Sequence, residues 1–185
     1  MAIKKQEVNV HGIFQNTAEF FEQFRGKIIP SHDIKQTDFK DKKVAIIGAD
    51  QHTVTHLELI SQSAQFIKVF QITPHFVLPN TERGLQRLIN HPLVIKNRRL
   101  FNSRVKSLLA LRYLDSQVQD AWTRRQLTPN VAAANKVFLK SDSYYTALQK
   151  ENCKLITWPV VKISADAVQS MEGIEHLVDI IITTY

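Results

Sequence analysis

The chain has 185 residues, 44% apolar and 22% charged, with a formal net charge of +7 and one cysteine, Cys153. This suits one globular domain with a sizeable core, and a lone cysteine excludes an internal disulfide. The longest apolar stretches, 44–47 and 178–182 (the latter interrupted by Asp179), are too short to span a bilayer, and no signal peptide opens the chain, so the expected setting is the cytoplasm, away from membrane.

Residues 17–24 carry Phe20, Phe21 and Phe24 at helical spacing, and 24–33 reads as a short strand and turn. The clearest strand is 43–48, where Val44-Ala45-Ile46-Ile47 is apolar without alternation, so both of its faces should be covered, as in a parallel sheet. A helix is expected over 51–63 and a strand over 66–72, which makes a βαβ unit. Residues 74–80, with two prolines, read as a loop. The stretch 80–127 reads as mostly helical, because Leu100, Val105, Leu108, Leu109, Leu111, Leu114, Val118 and Trp122 recur at three- and four-residue steps. Pro129 closes it. Further strands are expected at 136–139, 153–157, 160–163 and 177–182, with a short helix over 141–148 capped by Ser141 or Asp142. Cys153, at the start of a buried strand, reads as a core thiol. The organisation expected is an N-terminal segment, 1–40, followed by an α/β domain, 41–185, with a helical insertion at about 80–127. That domain is a Rossmann-like, three-layer α/β fold with a central, mostly parallel sheet.

The turn after the first clear strand is Gly48-Ala49-Asp50-Gln51-His52-Thr53. A dinucleotide fingerprint, G-x-G-x-x-G/A, uses its glycines for the tight turn, the close approach to pyrophosphate and the helix–sheet contact. Only the first is present. Asp50 adds a Cβ where backbone would touch phosphate, and a negative charge that would face a dianion. Two unit charges ~4 Å apart repel by about 4 kcal/mol at an effective dielectric of about 20, roughly three powers of ten in affinity. Taken by itself, this turn reads as one that binds no nucleotide.

Several stretches in order resemble the flavin-containing and Baeyer–Villiger (class B) monooxygenases. Lys43-Val44-Ala45-Ile46-Ile47-Gly48 resembles the K-x-V-x-V-I-G before that family's NADPH-binding glycine motif. Val69-Phe70-Gln71-Ile72-Thr73-Pro74 resembles V-F-Q-R-T-P. Leu127-Thr128-Pro129, the segment 141–148 with Tyr144-Tyr145, and the strand-like 175–182 follow in the family's order. Upstream, 24–32 resembles the fingerprint F-x-G-x-x-x-H. The resemblance covers about 24–185 and implies the NADPH-binding domain of such an enzyme, truncated and degenerate. No G-x-G-x-x-G precedes residue 24, and the chain ends at Thr183-Thr184-Tyr185, where the family's A-T-G turn begins, so no FAD site is expected in this chain. Without flavin the domain would not be an active oxygenase alone. The arginine that reaches the 2′-phosphate of NADPH in the family is Ile72 here, a loss of about 1.5–3 kcal/mol. The fingerprint histidine falls at Pro30, and the Lys-Arg pair reads Asn135-Lys136.

The vestigial dinucleotide site implied by the resemblance comprises Gly48, Ala49, Asp50, Gln51, His52, Thr53, Thr73 and Lys136, with Thr73 and Lys136 read equally as a turn residue and a surface lysine. NADPH binding is expected to be weakened, and no cofactor to be held strongly. His52 and His56 have i, i+4 spacing, but Glu58 completes no H-E-x-x-H and no third ligand is evident, so no metal and no catalytic residue is assigned. The function expected is a noncatalytic, monooxygenase-like domain acting through protein contacts, with another protein or a second copy as partner. One alternative is a nucleotide-binding subunit or fragment completed by a flavoprotein chain. Another is a basic-surface binder using Lys96, Arg98, Arg99, Arg104, Lys106, Arg112, Arg124 and Arg125. Nucleic acid is the less favoured partner of that surface, because aromatic interleaving is sparse.

Overall fold

The structure is a computed structural model that describes residues 21–80 and 103–184. Most of the helix expected at 17–24, and the part of the helical stretch at 81–102, lie outside the described residues.

A five-stranded, all-parallel sheet forms the centre. Its strands are β1 (Lys27–Pro30), β2 (Lys43–Ile47), β3 (Phe66–Phe70), β6 (Cys153–Ile156) and β10 (Ile180–Thr183), in the order β1-β10-β2-β3-β6. The fold is Rossmann-like. Helix α1 (Gln51–Ser63) joins the parallel neighbours β2 and β3, so the βαβ unit is present with the helix bounds expected. Proline is accommodated in β1 because that strand lies at the sheet edge.

Alternation along the strands divides the core between two faces. Val44, Ile46, Ile67, Val69, Ile180 and Ile182 point toward α1 and α4 (Tyr144–Leu148), packing with Val54, Leu57, Ile60 and Tyr145. Ala45, Ile47, Phe70, Ile156 and Ile181 point the other way. There they meet an antiparallel ribbon of β7 (Val160–Ile163), β8 (Ala167–Ser170) and β9 (Glu175–Leu177). All of Val44–Ile47 is therefore buried, which is why that segment shows no polar alternation. Each fully buried Ile or Val contributes about 1.5–3 kcal/mol relative to exposure.

The remaining elements form a lobe at one side. Strands β4 (Phe76–Leu78) and β5 (Phe138–Lys140) pair in parallel, beside helices α2 (Ser103–Gln117) and α3 (Ala121–Gln126). Residues 74–80 are thus not wholly loop. The prolines Pro74 and Pro79 flank the apolar Phe76-Val77-Leu78 without interrupting it. Helix α2 buries Ser107, Ala110 and Leu114, and Val118 follows them inward. Leu108 and Trp122, which share the sequence's apolar periodicity, are exposed at 61% and 65%. The leucine pattern is wider than the stripe the lobe covers.

Other boundaries moved for local reasons. The strand expected over 66–72 stops at Phe70, and Ile72 sits exposed in the bend beyond. The strand expected over 177–182 is two strands. At Val178 and Asp179 the chain passes from ribbon to sheet, Val178 N–H bonding to Asp166 O and Asp179 N–H to Lys43 O. The helix expected over 141–148 begins at Tyr144, whose N–H donates to the Ser141 hydroxyl at 3.1 Å. Asp142 instead accepts the Asn80 N–H at 2.8 Å.

The ribbon is tied to the sheet by Lys68 Nζ, 2.9 Å from His176 Nδ1, and by the edge of His176 against Phe70, centroids 5.6 Å apart. Burial, then Lys68 and Lys154, hold the His176 imidazolium below its ordinary range. Burial alone does the same to His75. Groups depressed in this way favour folding while neutral. As pH falls below the unfolded histidine value of about 6.5, the unfolded chain takes up protons first and stability is lost. The urea midpoint should therefore drop between about pH 7.5 and about pH 5, and a His75→Gln, His176→Gln variant should show a smaller drop. Cys153 is buried and its thiol is pushed up to about 12, chiefly by burial. It should react with a disulfide reagent at the rate of global opening, and quickly only in denaturant.

Candidate functional site

Ligands in open α/β sheets bind outside the carboxyl ends of the strands, where the strand order reverses. In this sheet that place lies between β2 and β10, because the chain runs from β2 to β3 and on to β6, leaving β10 on the other side. Gly48 sits there with φ of +96°. Its N–H donates to Phe70 O at 2.9 Å. The Thr184 hydroxyl, just past β10, donates to Ile47 O at 3.2 Å. A Cβ on Gly48 would lie 2.1 Å from that Thr184 oxygen. Two independent constraints, the left-handed backbone and the approach of Thr184, thus require glycine.

Ala49 packs on the helical-face core, and Asp50 follows as the N-cap of α1. Its Oδ1 accepts the Thr53 N–H at 2.8 Å and lies 2.9 Å from the Thr53 hydroxyl, while the Asp50 N–H donates to Thr53 Oγ1 at 2.9 Å. This reciprocal capping box starts the helix. Asp50 Oδ2 accepts the hydroxyl of Ser31, which opens the 3₁₀ turn Ser31–Gln36 after β1. A helix N-terminus attracts anions through its unpaired N–H groups and its dipole. Here a carboxylate of the chain itself is bound in that position.

The other turn residues are engaged variously. The Gln51 amide holds the main chain of Lys140, Nε2 donating to its O at 2.8 Å and Oε1 accepting its N–H at 3.0 Å. It thereby joins α1 to the side lobe. His52 is exposed, and its carbonyl accepts from His56 Nδ1 at 2.8 Å. Among the described residues no three of His, Cys, Asp and Glu gather as a metal site. Thr73 is exposed in the bend after β3, and its carbonyl is 3.4 Å from Gln71 Nε2. Lys136 places its ammonium over the Phe76 ring, 6.0 Å from the centroid. Gly48 to Thr53 are thus brought together at the sheet's carboxyl edge. Ile72 and Thr73 follow Phe70, whose carbonyl holds the Gly48 N–H, and Lys136 lies on the lobe beside Phe76.

Sequence reasoning missed two contributors. Ser31 and Thr184 lie 19 and 136 residues from the groups they touch, Asp50 and Gly48, so no local spacing marks them. Gln71 was also passed over. Buried at 5% exposure, it accepts the Tyr144 hydroxyl at 2.6 Å, and burial raises the pKa of that phenol. An open depression lies elsewhere, before β1 and β10, lined by Arg25, Gly26, Ala165, Asp166, Val178 and Asp179.

A Baeyer–Villiger monooxygenase of Pseudomonas aeruginosa is 30% identical over 187 aligned positions, which cover 87% of this chain and 35% of that protein. The chain is similar to part of a class B flavin monooxygenase. A Baeyer–Villiger monooxygenase of Streptomyces coelicolor is 25% identical, covering 86% of this chain and 35% of its own length. An FAD-binding monooxygenase of Aspergillus niger is also 25% identical, with 80% and 29% covered. The chain thus spans about a third of the length of the curated relatives it matches. Among solved structures, an oxidized steroid monooxygenase bound to NADP superimposes with a TM-score of 0.66 at 17% identity, covering 88% of this chain and 42% of that one. A closed cyclohexanone monooxygenase gives 0.68 at 12%, with the same shares covered. No family model matches the chain. No helix among the described residues is long and apolar enough to cross a membrane.

The geometry at Gly48 makes a graded prediction. Gly48→Ala should cost about 2–3 kcal/mol, from the positive φ and the Thr184 overlap. Gly173→Ala, at φ +81° with nothing within 4 Å of the new Cβ, should cost only about 1–2 kcal/mol. Urea titration of both variants checks the order, and equal losses would mean that Thr184 moves aside freely.

Proposed function

We propose that this chain is a monooxygenase-type NADP domain that does not hold NADPH with useful affinity and is not catalytic alone, acting instead through contacts with another protein. The observation that carries this reading is the Asp50 carboxylate, bound by the Thr53 N–H and by Ser31 where a pyrophosphate would sit. A second anion brought there meets a fixed negative charge and finds the Thr53 donor taken. Ile72, exposed beyond β3, offers no cation to a 2′-phosphate. The residues present therefore fit a dinucleotide poorly, and no chemical step is assigned through one.

A second reading is supported by the extent of the match. Because 87% of the chain aligns with about a third of a Baeyer–Villiger monooxygenase, the domain would work as the nucleotide side of a flavoprotein whose remaining parts lie outside the 185 residues. Mixing it with a flavin-bearing partner would then give NADPH oxidation that neither component shows alone.

Calorimetric titration with NADPH, NADP and NAD tests the first reading. The natural chain should give no heat of binding at micromolar concentrations, while an Asp50→Gly, Ile72→Arg variant should bind NADPH at least about 100-fold more tightly. Glycine is a fair N-cap, so that variant should lose only a few tenths of a kcal/mol from the cap. Low-micromolar binding of NADPH by the natural chain would refute the proposal.

A further inference from the structure

Two exposed apolar surfaces of the molecule carry opposite charge. The first is the tip of the ribbon between β8 and β9. Met171-Glu172-Gly173-Ile174 is exposed throughout, and the exposed Glu175 follows on β9. Met171 N–H donates to Pro159 O at 2.9 Å, which brings the exposed Trp158 close to the tip. Main-chain bonds hold the tip in one shape. Ser170 N–H donates to Ile174 O at 3.0 Å and Gly173 N–H to Ser170 O at 2.9 Å. Gln169 Nε2 adds a bond to Gly173 O at 3.2 Å. A surface fixed in advance loses little conformational entropy on binding. Glu172 and Glu175 make the tip acidic in a chain of net charge +7. Lys162 stands across Gln169 from Glu175, on the far strand of the ribbon.

The second surface is the outer side of α2. Arg104, Leu108 and Arg112 recur at four-residue steps, so they share one side of the helix, and all three are exposed. The helix turns Ser107, Ala110 and Leu114 inward instead. Asp115, near the same side, lies 3.6 Å from Arg124, so the stripe around Leu108 stays basic. The two surfaces belong to opposite faces of the sheet. Helix α2 joins the layer of α1 and α4, with Tyr113 5.6 Å from Tyr145, while the ribbon covers the other face. One copy therefore does not bring its own tip onto its own stripe.

We propose that the chain associates with a second copy of itself, head to tail, the ribbon tip of one copy seated on α2 of the next. Met171 and Ile174 cover Leu108, while Glu172 and Glu175 face the arginines on either side of it. Apolar contact supplies affinity, and the charges set orientation and suppress other arrangements. The overall positive charge of each copy opposes contact elsewhere, so the acidic tip is the part of one copy that the basic stripe of another attracts. Because the two surfaces differ, every joined copy keeps one of them open, and repetition gives a ring or an open chain. The contact stands apart from the Asp50 turn, so its failure would leave the reading of that turn in place.

The test is sedimentation velocity of the full chain at low salt over a concentration series reaching about 1 mM. The average mass should rise with concentration, with a Kd on the order of 0.1 mM, and added salt at about 0.5 M should weaken association about tenfold. Two variants reverse the charges, Glu172→Lys with Glu175→Lys on the tip, and Arg104→Glu with Arg112→Glu on the stripe. All four positions are exposed, so urea midpoints should hardly move. Each variant alone should stay monomeric. An equimolar mixture should associate, because the natural tip of the second variant meets the natural stripe of the first. A chain that is monomeric at about 1 mM, association that persists in either variant alone, or variants that stay apart on mixing would overturn the proposal.

Discussion

A parallel sheet has no hairpins of its own, and its strands must be covered on both sides before their apolar residues can be withdrawn from water. In this chain α1 and α4 cover one face and the β7–β9 ribbon covers the other. The sheet keeps four consecutive buried residues in β2 only because both layers are in place. The Gly48 turn, the start of α1 and the bend at Ile72 are held at one edge of this sandwich, so the candidate site depends on that burial too.

Within that frame, one carboxylate ties the edge together. Asp50 joins the helix it caps and the β2 turn that precedes it to the 3₁₀ turn after β1, 19 residues earlier, through Ser31. A cap of this kind contributes about 1 kcal/mol to folding. The same side chain that starts the helix sets an anion against any anionic ligand. On the proposed reading, stability and phosphate binding compete for that one position.

The sequence showed the sheet-forming segments well, because two-sided burial writes itself as an unbroken apolar run in Val44–Ile47 and as a helix with its own cap at Gln51–Ser63. Elements that depend on distant partners were harder to read. β4 was hidden between prolines because its stabilising neighbour, β5, lies sixty residues on. β8 carries only Ala167-Val168 as a signal and owes its form to β7 and β9. At the candidate site Gly48 was visible as the one glycine kept from the motif, and Asp50 as a departure from it. Asp50 was read as a charge facing a ligand, and its neighbours show it satisfied within the protein. Lys68 could have been noticed as a lysine inside Phe66-Ile67-Lys68-Val69-Phe70, but its histidine partner is 108 residues away.

Gln51 has a further effect on the side lobe. A two-stranded sheet leaves main-chain groups open along its edges, and open edges invite pairing with other chains. The Gln51 amide offers one donor and one acceptor in the spacing of a strand residue, and it satisfies both main-chain groups of Lys140. At that point on β5 both main-chain groups are engaged, so the first residue of α1 leaves another strand less to pair with there.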